Sequence, residues 1–169
     1  KESHTVYLDK EGMEIDLGAL AKGYFADQII AFWKEKNVSY GSINLGGNIL
    51  VFGSKNYTVG IQNPFLPRGQ FVEVVNLRNQ SCVTSGIYER QFKSEGRSFH
   101  HIFDTKTGMP LANDVASLTI IAKDSLTCEY LTTQLFGYAP IDIIKMIQAR
   151  DGIEGIVITK DKKMLRSYM

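Results

Sequence analysis

The sequence predicts one α+β domain with a largely antiparallel sheet packed with helices. Three observations carry that expectation. Between Val38 and Phe103, short runs of β-forming residues follow one another, broken by Gly, Pro and Asn turns, as in strands joined by hairpins. Helical periodicity is confined to one long stretch before those runs and two shorter ones after the apolar run Val115–Ala122. No linker, internal repeat or low-complexity segment separates these patterns, so they are expected to share one core.

Taken in order, Thr5 to Leu8 reads as a short strand, with a turn at Lys10-Glu11-Gly12 and a second short strand to Ile15. Asp16 precedes a helical pattern in which Leu17, Leu20, Ala21, Tyr24, Phe25, Ile29, Phe32 and Trp33 recur at helical spacing, ending near Lys36-Asn37. Lys34 and Lys36 suit the negative end of that helix. Ser42 to Leu45 and Ile49 to Phe52 are strands flanking Gly46-Gly47, a pair that fits a tight turn. Tyr57 to Gln62 is a strand ended by Asn63-Pro64, and Pro67-Arg68-Gly69 turns the chain into the alternating strand Phe71 to Leu77. Cys82 to Ser85 and Arg97 to Phe103 are further strands. Val115 to Ala122 is β-branched and apolar, as a central strand requires. Asp124 or Ser125 caps a helix to about Tyr138, and Pro140 opens another to about Arg150, since proline is tolerated in a first turn. Ile153 to Thr159 and Met164 to Tyr168 pair as a terminal hairpin.

Composition narrows the partners. The 169 residues carry a formal net charge of +1 with no basic block, which argues against nucleic acid as a partner. No apolar run approaches the roughly 20 residues needed to cross a bilayer. The first residues, KESHTVYLDKEG, lack the apolar core of a signal peptide, which leaves the compartment open. Cys82 and Cys128 match no metal or redox spacing; they fit either two buried free thiols or, outside the cytoplasm, a disulfide.

Several clusters could carry chemistry. Lys22 falls near the start of the first helix, where the dipole does not favour a cation; it is either a solvated lysine or the counter-charge of an anionic ligand drawn to that helix end. Asn44-Leu45-Gly46-Gly47-Asn48 is either a plain turn or a place where bare amides approach a ring or phosphate. Thr84-Ser85-Gly86 ends a strand, and Arg90 beyond it could clamp a phosphate or pair with a carboxylate. His100 and His101 should point to opposite faces of one strand, so a single imidazole could serve as a general base. Glu129 and Thr133 share a helix face and could offer oxygen ligands to Mg²⁺, or simply face solvent.

Together, DLGALAKG (Asp16–Gly23), NLGG (Asn44–Gly47), TSGIYER (Thr84–Arg90), HHIFDTKTGMP (His100–Pro110) and the Glu129/Thr133 helix resemble, in the same order, the ApbE family of FAD:protein FMN transferases. The resemblance runs from about residue 5 to the C-terminus. It implies an ApbE-like, T-fold-related domain lacking the family's N-terminal segment. It also implies a Mg²⁺-dependent reaction in which FAD is split at its pyrophosphate, FMN is joined to a threonine or serine hydroxyl of a target protein, and AMP leaves.

By the same resemblance, His101 helps deprotonate the acceptor hydroxyl, and Glu129, Thr133 and the Ala19 backbone carbonyl hold the metal. Lys22 lies near the FAD phosphates. Asn44, Gly46, Gly47, Ser85 and Arg90 belong to the cofactor pocket, and Ile102 to Gly108, including Asp104 and Thr107, line the flavin nucleotide. An acceptor flavoprotein is the implied partner, and an extracytoplasmic, membrane-anchored or secreted location is implied. One departure stands out: Cys128-Glu129-Tyr130 replaces the usual Ala-Asp-Ala-like run, and the extra methylene is expected to push the carboxylate outward. Two other readings share these residues: an FAD pyrophosphatase giving FMN and AMP, and a flavin-binding module without turnover.

Overall fold

The computed structural model describes residues 4–88, 91–94, 97–100, 102–104 and 106–167. Helix α1 (Ala21–Glu35) leads into strands β1 (Tyr40–Leu45), β2 (Asn48–Gly53), β3 (Tyr57–Gln62), β4 (Phe71–Leu77), β5 (Ser81–Gly86), β6 (Gln91–Ser94), β7 (Arg97–His100) and β8 (Val115–Ala122). Helices α2 (Ser125–Leu135) and α3 (Pro140–Gln148) follow, and β9 (Glu154–Thr159) and β10 (Met164–Arg166) close the chain.

Six strands form one sheet in the order β1-β2-β5-β8-β9-β10, with every neighbouring pair antiparallel. The hairpins β3-β4 and β6-β7 pair separately. Strand β8 is buried along its whole length, because both faces of the sheet are covered. On one face, Val83, Leu118 and Ile120 pack with Leu131 and Leu135 of α2 and with Ile143 and Ile147 of α3. On the other, Cys82, Ile121 and Ile156 pack against Val59, Ile61, Val75 and Leu77 of the β3-β4 hairpin. The register of β8 against β9 shifts between Val115 and Ser117, and this bulge puts Val115 in the same cluster as Leu118.

The sheet separates the two cysteines: Cys82 packs toward the hairpin and Cys128 toward the helical side. Both are buried free thiols, which removes the disulfide alternative. Burial pushes the Cys82 thiol up to about 12 and raises that of Cys128 further, so both stay protonated and inert.

Several expected elements differ. No strand forms over Thr5–Leu8 or up to Ile15; residues 4–20 are exposed, and alternation alone cannot supply the hydrogen-bonded neighbour that a strand needs. Asp16 does not start the helix. Its carboxylate accepts from Gly18 N at 2.6 Å, while Leu20 N and Ala21 N both reach Leu17 O at 2.9 Å, forming a turn before α1. The buried stripe of α1 is Gly23, Ala26 and Ile30, with Tyr24, Phe25 and Phe32 turned outward. Gly23 faces α2, while Ala26 and Ile30 pack with Ile43, Leu50 and Phe52 of β1 and β2. Among the described residues, β7 covers Arg97–His100 and Phe103 makes an isolated bridge to Pro110, and β6 has too little apolar alternation to be read from sequence. Helices α2 and α3 end at Leu135 and Gln148, short of Tyr138 and Arg150.

Candidate functional site

The site begins where α1 meets α2. A β-carbon on Gly23 would lie 2.7 Å from Ser125 O and 2.9 Å from Glu129 Cγ, so the bare glycine is what lets the two helices come this close. One turn further along α1, Asp27 reaches across to accept from Ser125 N and Leu126 N, each at 2.9 Å. Asp124 accepts from Thr127 N at 2.8 Å, so the first three amides of α2 are satisfied by two carboxylates, one of them on another helix.

That docking fixes Glu129, which is only 3 % exposed. Lys22 Nζ lies 2.9 Å from Glu129 Oε1 and 3.3 Å from Oε2. Asn48 Nδ2 donates to Oε1 at 2.9 Å, and Asn48 Oδ1 accepts from Ser125 Oγ at 2.7 Å. The expected outward push of the longer carboxylate does not occur. The extra methylene occupies the space left by Gly23, and the carboxylate turns inward onto Asn48.

Asn48 stands in register with Leu45 across the two-residue turn Gly46-Gly47, where both φ angles are positive (63° and 91°) as a tight hairpin requires. Asn44 Oδ1 accepts from Gly47 N at 3.1 Å, so that amide is held within the turn and is not bare as the sequence reading required.

A cleft of about 650 Å³ opens over these groups. Of the expected site residues, Ala19, Lys22, Gly46, Ser85, Ile102, Glu129 and Thr133 line it together. Asn44 and Gly47, again with Gly46, line a smaller adjoining cleft of about 290 Å³. Asp104, Thr107 and Gly108 line neither. They build a short loop: Gly108 N donates to Asp104 O and Lys106 N to Asp104 Oδ1, both at 2.8 Å, and Met109 N points to Thr107 Oγ1 at 3.3 Å. This loop sets Ile102 opposite Leu111, whose N–H donates to Ile102 O at 2.9 Å, and both side chains face the large cleft. Arg90 and His101 lie outside the described residues.

Asp27 and Arg68 escaped the sequence reading, and Asn48 entered it only as the end of the glycine-turn segment. Asn48 grips the carboxylate, Asp27 caps α2 from α1, and Arg68 lines both clefts. Asn48 follows the glycine pair directly, and that adjacency was the available signal.

Lys22 Nζ and Asn48 Nδ2 hold the Glu129 carboxylate, while Glu129 and Thr133 bring side-chain oxygens, the ligand type Mg²⁺ prefers, to the same cleft. The turn before α1 runs its hydrogen bonds to Leu17 O and Leu20 O, a series that passes over the Ala19 carbonyl. Ala19, Glu129 and Thr133 line one cleft, so this donor set fits a divalent cation.

An antiparallel α+β scaffold that gathers a carboxylate, a hydroxyl and a lysine in one cleft defines a domain suited to an anionic ligand. The chain belongs to the ApbE family, whose model matches residues 1–157. It is similar to the FAD:protein FMN transferase of Klebsiella pneumoniae (strain 342), 39 % identical over 163 residues, which cover 96 % of this chain and 51 % of that protein. The FAD:protein FMN transferase of Treponema pallidum (strain Nichols) is 35 % identical over 176 residues, 97 % of this chain and 49 % of its own length. Among solved structures, the ApbE protein of Thermotoga maritima superposes with a TM-score of 0.82 at 30 % identity, covering 93 % of this chain and 52 % of that one. The chain thus spans about half the length of the curated relatives it matches.

Proposed function

We propose that this chain forms the nucleotide-handling part of an FAD:protein FMN transferase. The observation that carries the proposal is the convergence of Ala19, Lys22, Ser85, Ile102, Glu129 and Thr133 on a single cleft. FAD enters with its diphosphate near Lys22, whose half-exposed ammonium is free to leave Glu129 for a phosphate. Ala19 O, Glu129 and Thr133 would hold Mg²⁺, which supplies positive charge to non-bridging phosphate oxygens.

In the transfer, the hydroxyl oxygen of a threonine or serine on the acceptor protein bonds to the FMN phosphorus. The bond from that phosphorus to the bridging oxygen breaks, AMP leaves with the electron pair, and His101 takes the hydroxyl proton. The protein's share is positioning and charge neutralisation: Lys22 stabilises the diphosphate, and Ile102, Phe103 and Leu111 exclude water from one wall. The family resemblance extends the proposal to an extracytoplasmic setting, which fractionation of the native cell would test.

The deciding experiment incubates the protein with FAD, Mg²⁺ and a threonine-containing acceptor. Flavin fluorescence that stays with the acceptor after denaturing electrophoresis is the expected result. Free FMN and AMP without labelled acceptor would replace transfer by hydrolysis, and bound but intact FAD would leave only a binding module.

A further inference from the structure

The loop joining β3 to β4, residues 63–70, carries apolar side chains at its tip: Phe65 is 39 % and Leu66 51 % exposed. Neither lines either cleft, so the reading above gives them no task. The main chain beneath them has little left to offer water. Pro64 and Pro67 bring no N–H. Asn63 N donates to Gln70 O at 2.8 Å, Phe65 N to Asn63 Oδ1 at 3.0 Å and Leu66 N to Asn63 O at 3.3 Å. Gly69 N donates to Gln62 Oε1 at 2.9 Å and Gln70 N to Pro67 O at 3.2 Å. The Gln62 side-chain amide also faces three loop carbonyls, Asn63 O at 2.8 Å, Pro67 O at 3.2 Å and Leu66 O at 3.3 Å. A loop that touches hydrocarbon must satisfy its polar groups internally in this way, since lipid tails offer no replacement partner.

Cations surround the tip. Lys162 Nζ stands 5.7 Å from the centroid of the Phe65 ring, which brings the β9-β10 turn alongside the loop. That exposed turn adds Lys160 and Lys163, and the loop itself adds Arg68. Against these four cations stand two carboxylates, Asp114 and Asp161, which share a recess with Lys160 and Lys163. Asp161 is held by Lys163 at 2.8 Å, and among the described residues Arg68, Lys160 and Lys162 form no ion pair. An acidic polypeptide could use the cations, but the loop has almost no open N–H with which to fix a strand's register. An apolar tip ringed by positive charge complements a surface that is anionic above and hydrocarbon below.

We propose that the 63–70 loop and the 160–163 turn form an interfacial docking surface for a bilayer containing anionic phospholipid. Phe65 and Leu66 enter the headgroup boundary, and Arg68 and the lysines lie on the lipid phosphates. Arg68 lines both clefts, so docking brings their rim to the membrane surface. The proposal stands whether or not the flavin reading does.

The test is co-sedimentation of the chain with vesicles of phosphatidylcholine alone and of phosphatidylcholine and phosphatidylglycerol in equal parts. The wild type is expected to bind the mixed vesicles, to ignore the neutral ones, and to release as salt is raised. The double variant Phe65→Ser with Leu66→Ser should bind about tenfold more weakly or worse. Lys160→Gln with Lys162→Gln should lose about thirtyfold, the joint worth of two cations at an anionic surface. Circular dichroism confirms folding, and the lysine pair carries the test if the apolar pair is not folded. Phe32→Ser, an exposed change on α1, should bind as the wild type does. Wild-type indifference to the mixed vesicles would overturn the proposal, as would undiminished binding by both loop and turn variants or an equal loss in Phe32→Ser. Retention on polyglutamate without vesicle binding would assign the surface to an acidic polypeptide and overturn the bilayer.

Discussion

Gly23 and Glu129 share one space: the γ-carbon of the glutamate lies where a side chain on the glycine would have to go, 2.9 Å from a β-carbon built there. Because of that contact, a carboxylate one methylene longer than aspartate points inward to Asn48 and Lys22.

Gly23→Ala is the direct check. In a helix interior free of contacts, this change stabilises by about 1 kcal/mol through propensity. Here the added methyl meets backbone at Ser125 O and Leu126 Cα, at 2.7 and 2.8 Å, so α1 must move away from α2. The expected result is a loss of about 1–3 kcal/mol in urea unfolding. A gain would mean the helices do not touch.

Asn48→Leu keeps the volume and removes the polar atoms. Glu129 Oε1 then loses a donor and Ser125 Oγ an acceptor, both in buried surroundings. The expected loss is about 1–3 kcal/mol. A midpoint of denaturation unchanged within error would show that water replaces the amide.

The thiols make a pH prediction. In the unfolded chain a cysteine loses its proton near its usual value of 9.0, whereas folded Cys82 holds its own to about 12. Between those values the folded state binds more protons than the unfolded one, so stability falls as pH rises. The slope is about 1.4 kcal/mol per pH unit for each cysteine. Below pH 9 the contribution is fully present. A variant with both Cys82→Val and Cys128→Val should lose less stability than the wild type between pH 9 and 11, measured by urea unfolding. Parallel curves would show that the thiols are not buried.

His101→Ala is expected to lower transfer by about 10²–10⁴-fold, the usual worth of a general base, and to spare FAD binding. Single-turnover rates with saturating FAD separate the two effects. Unchanged transfer removes His101 from the mechanism.

Glu129→Ala deletes the one charged donor of the proposed cation site. The Mg²⁺ concentration that gives half-maximal activity should rise, and metal titration of the protein without FAD should weaken in step. An unaltered titration removes this ligand.

Much of the scaffold was legible in the sequence, because it rests on local rules. Val115–Ala122 is a buried central strand, Tyr57–Gln62 and Phe71–Leu77 are strands as expected, and Pro140 opens α3. What could not be read depends on neighbours. Thr5–Leu8 has a strand's alternation and forms no strand, since nothing local announces a pairing partner. Ala26 and Ile30 are the core of α1 in place of the larger Tyr24 and Phe25, because they face Ile43, Leu50 and Phe52 of the sheet. The site divides the same way. Lys22, Glu129 and Thr133, singled out by their positions in the sequence, line one cleft, whereas Asp104 and Thr107 are hydrogen-bonded within their own loop. Asn48 was legible only as part of the glycine turn, because its role comes from Glu129, 81 positions away.

Asp27 takes both amides of Ser125 and Leu126, partners nearly a hundred residues further along the chain. The start of α2 therefore has no capping carboxylate from α1 until synthesis has passed Leu126 and the two helices have met. Assembly of the Glu129 pocket rests on contacts between residues 81 to 99 positions apart, which local helix formation does not supply.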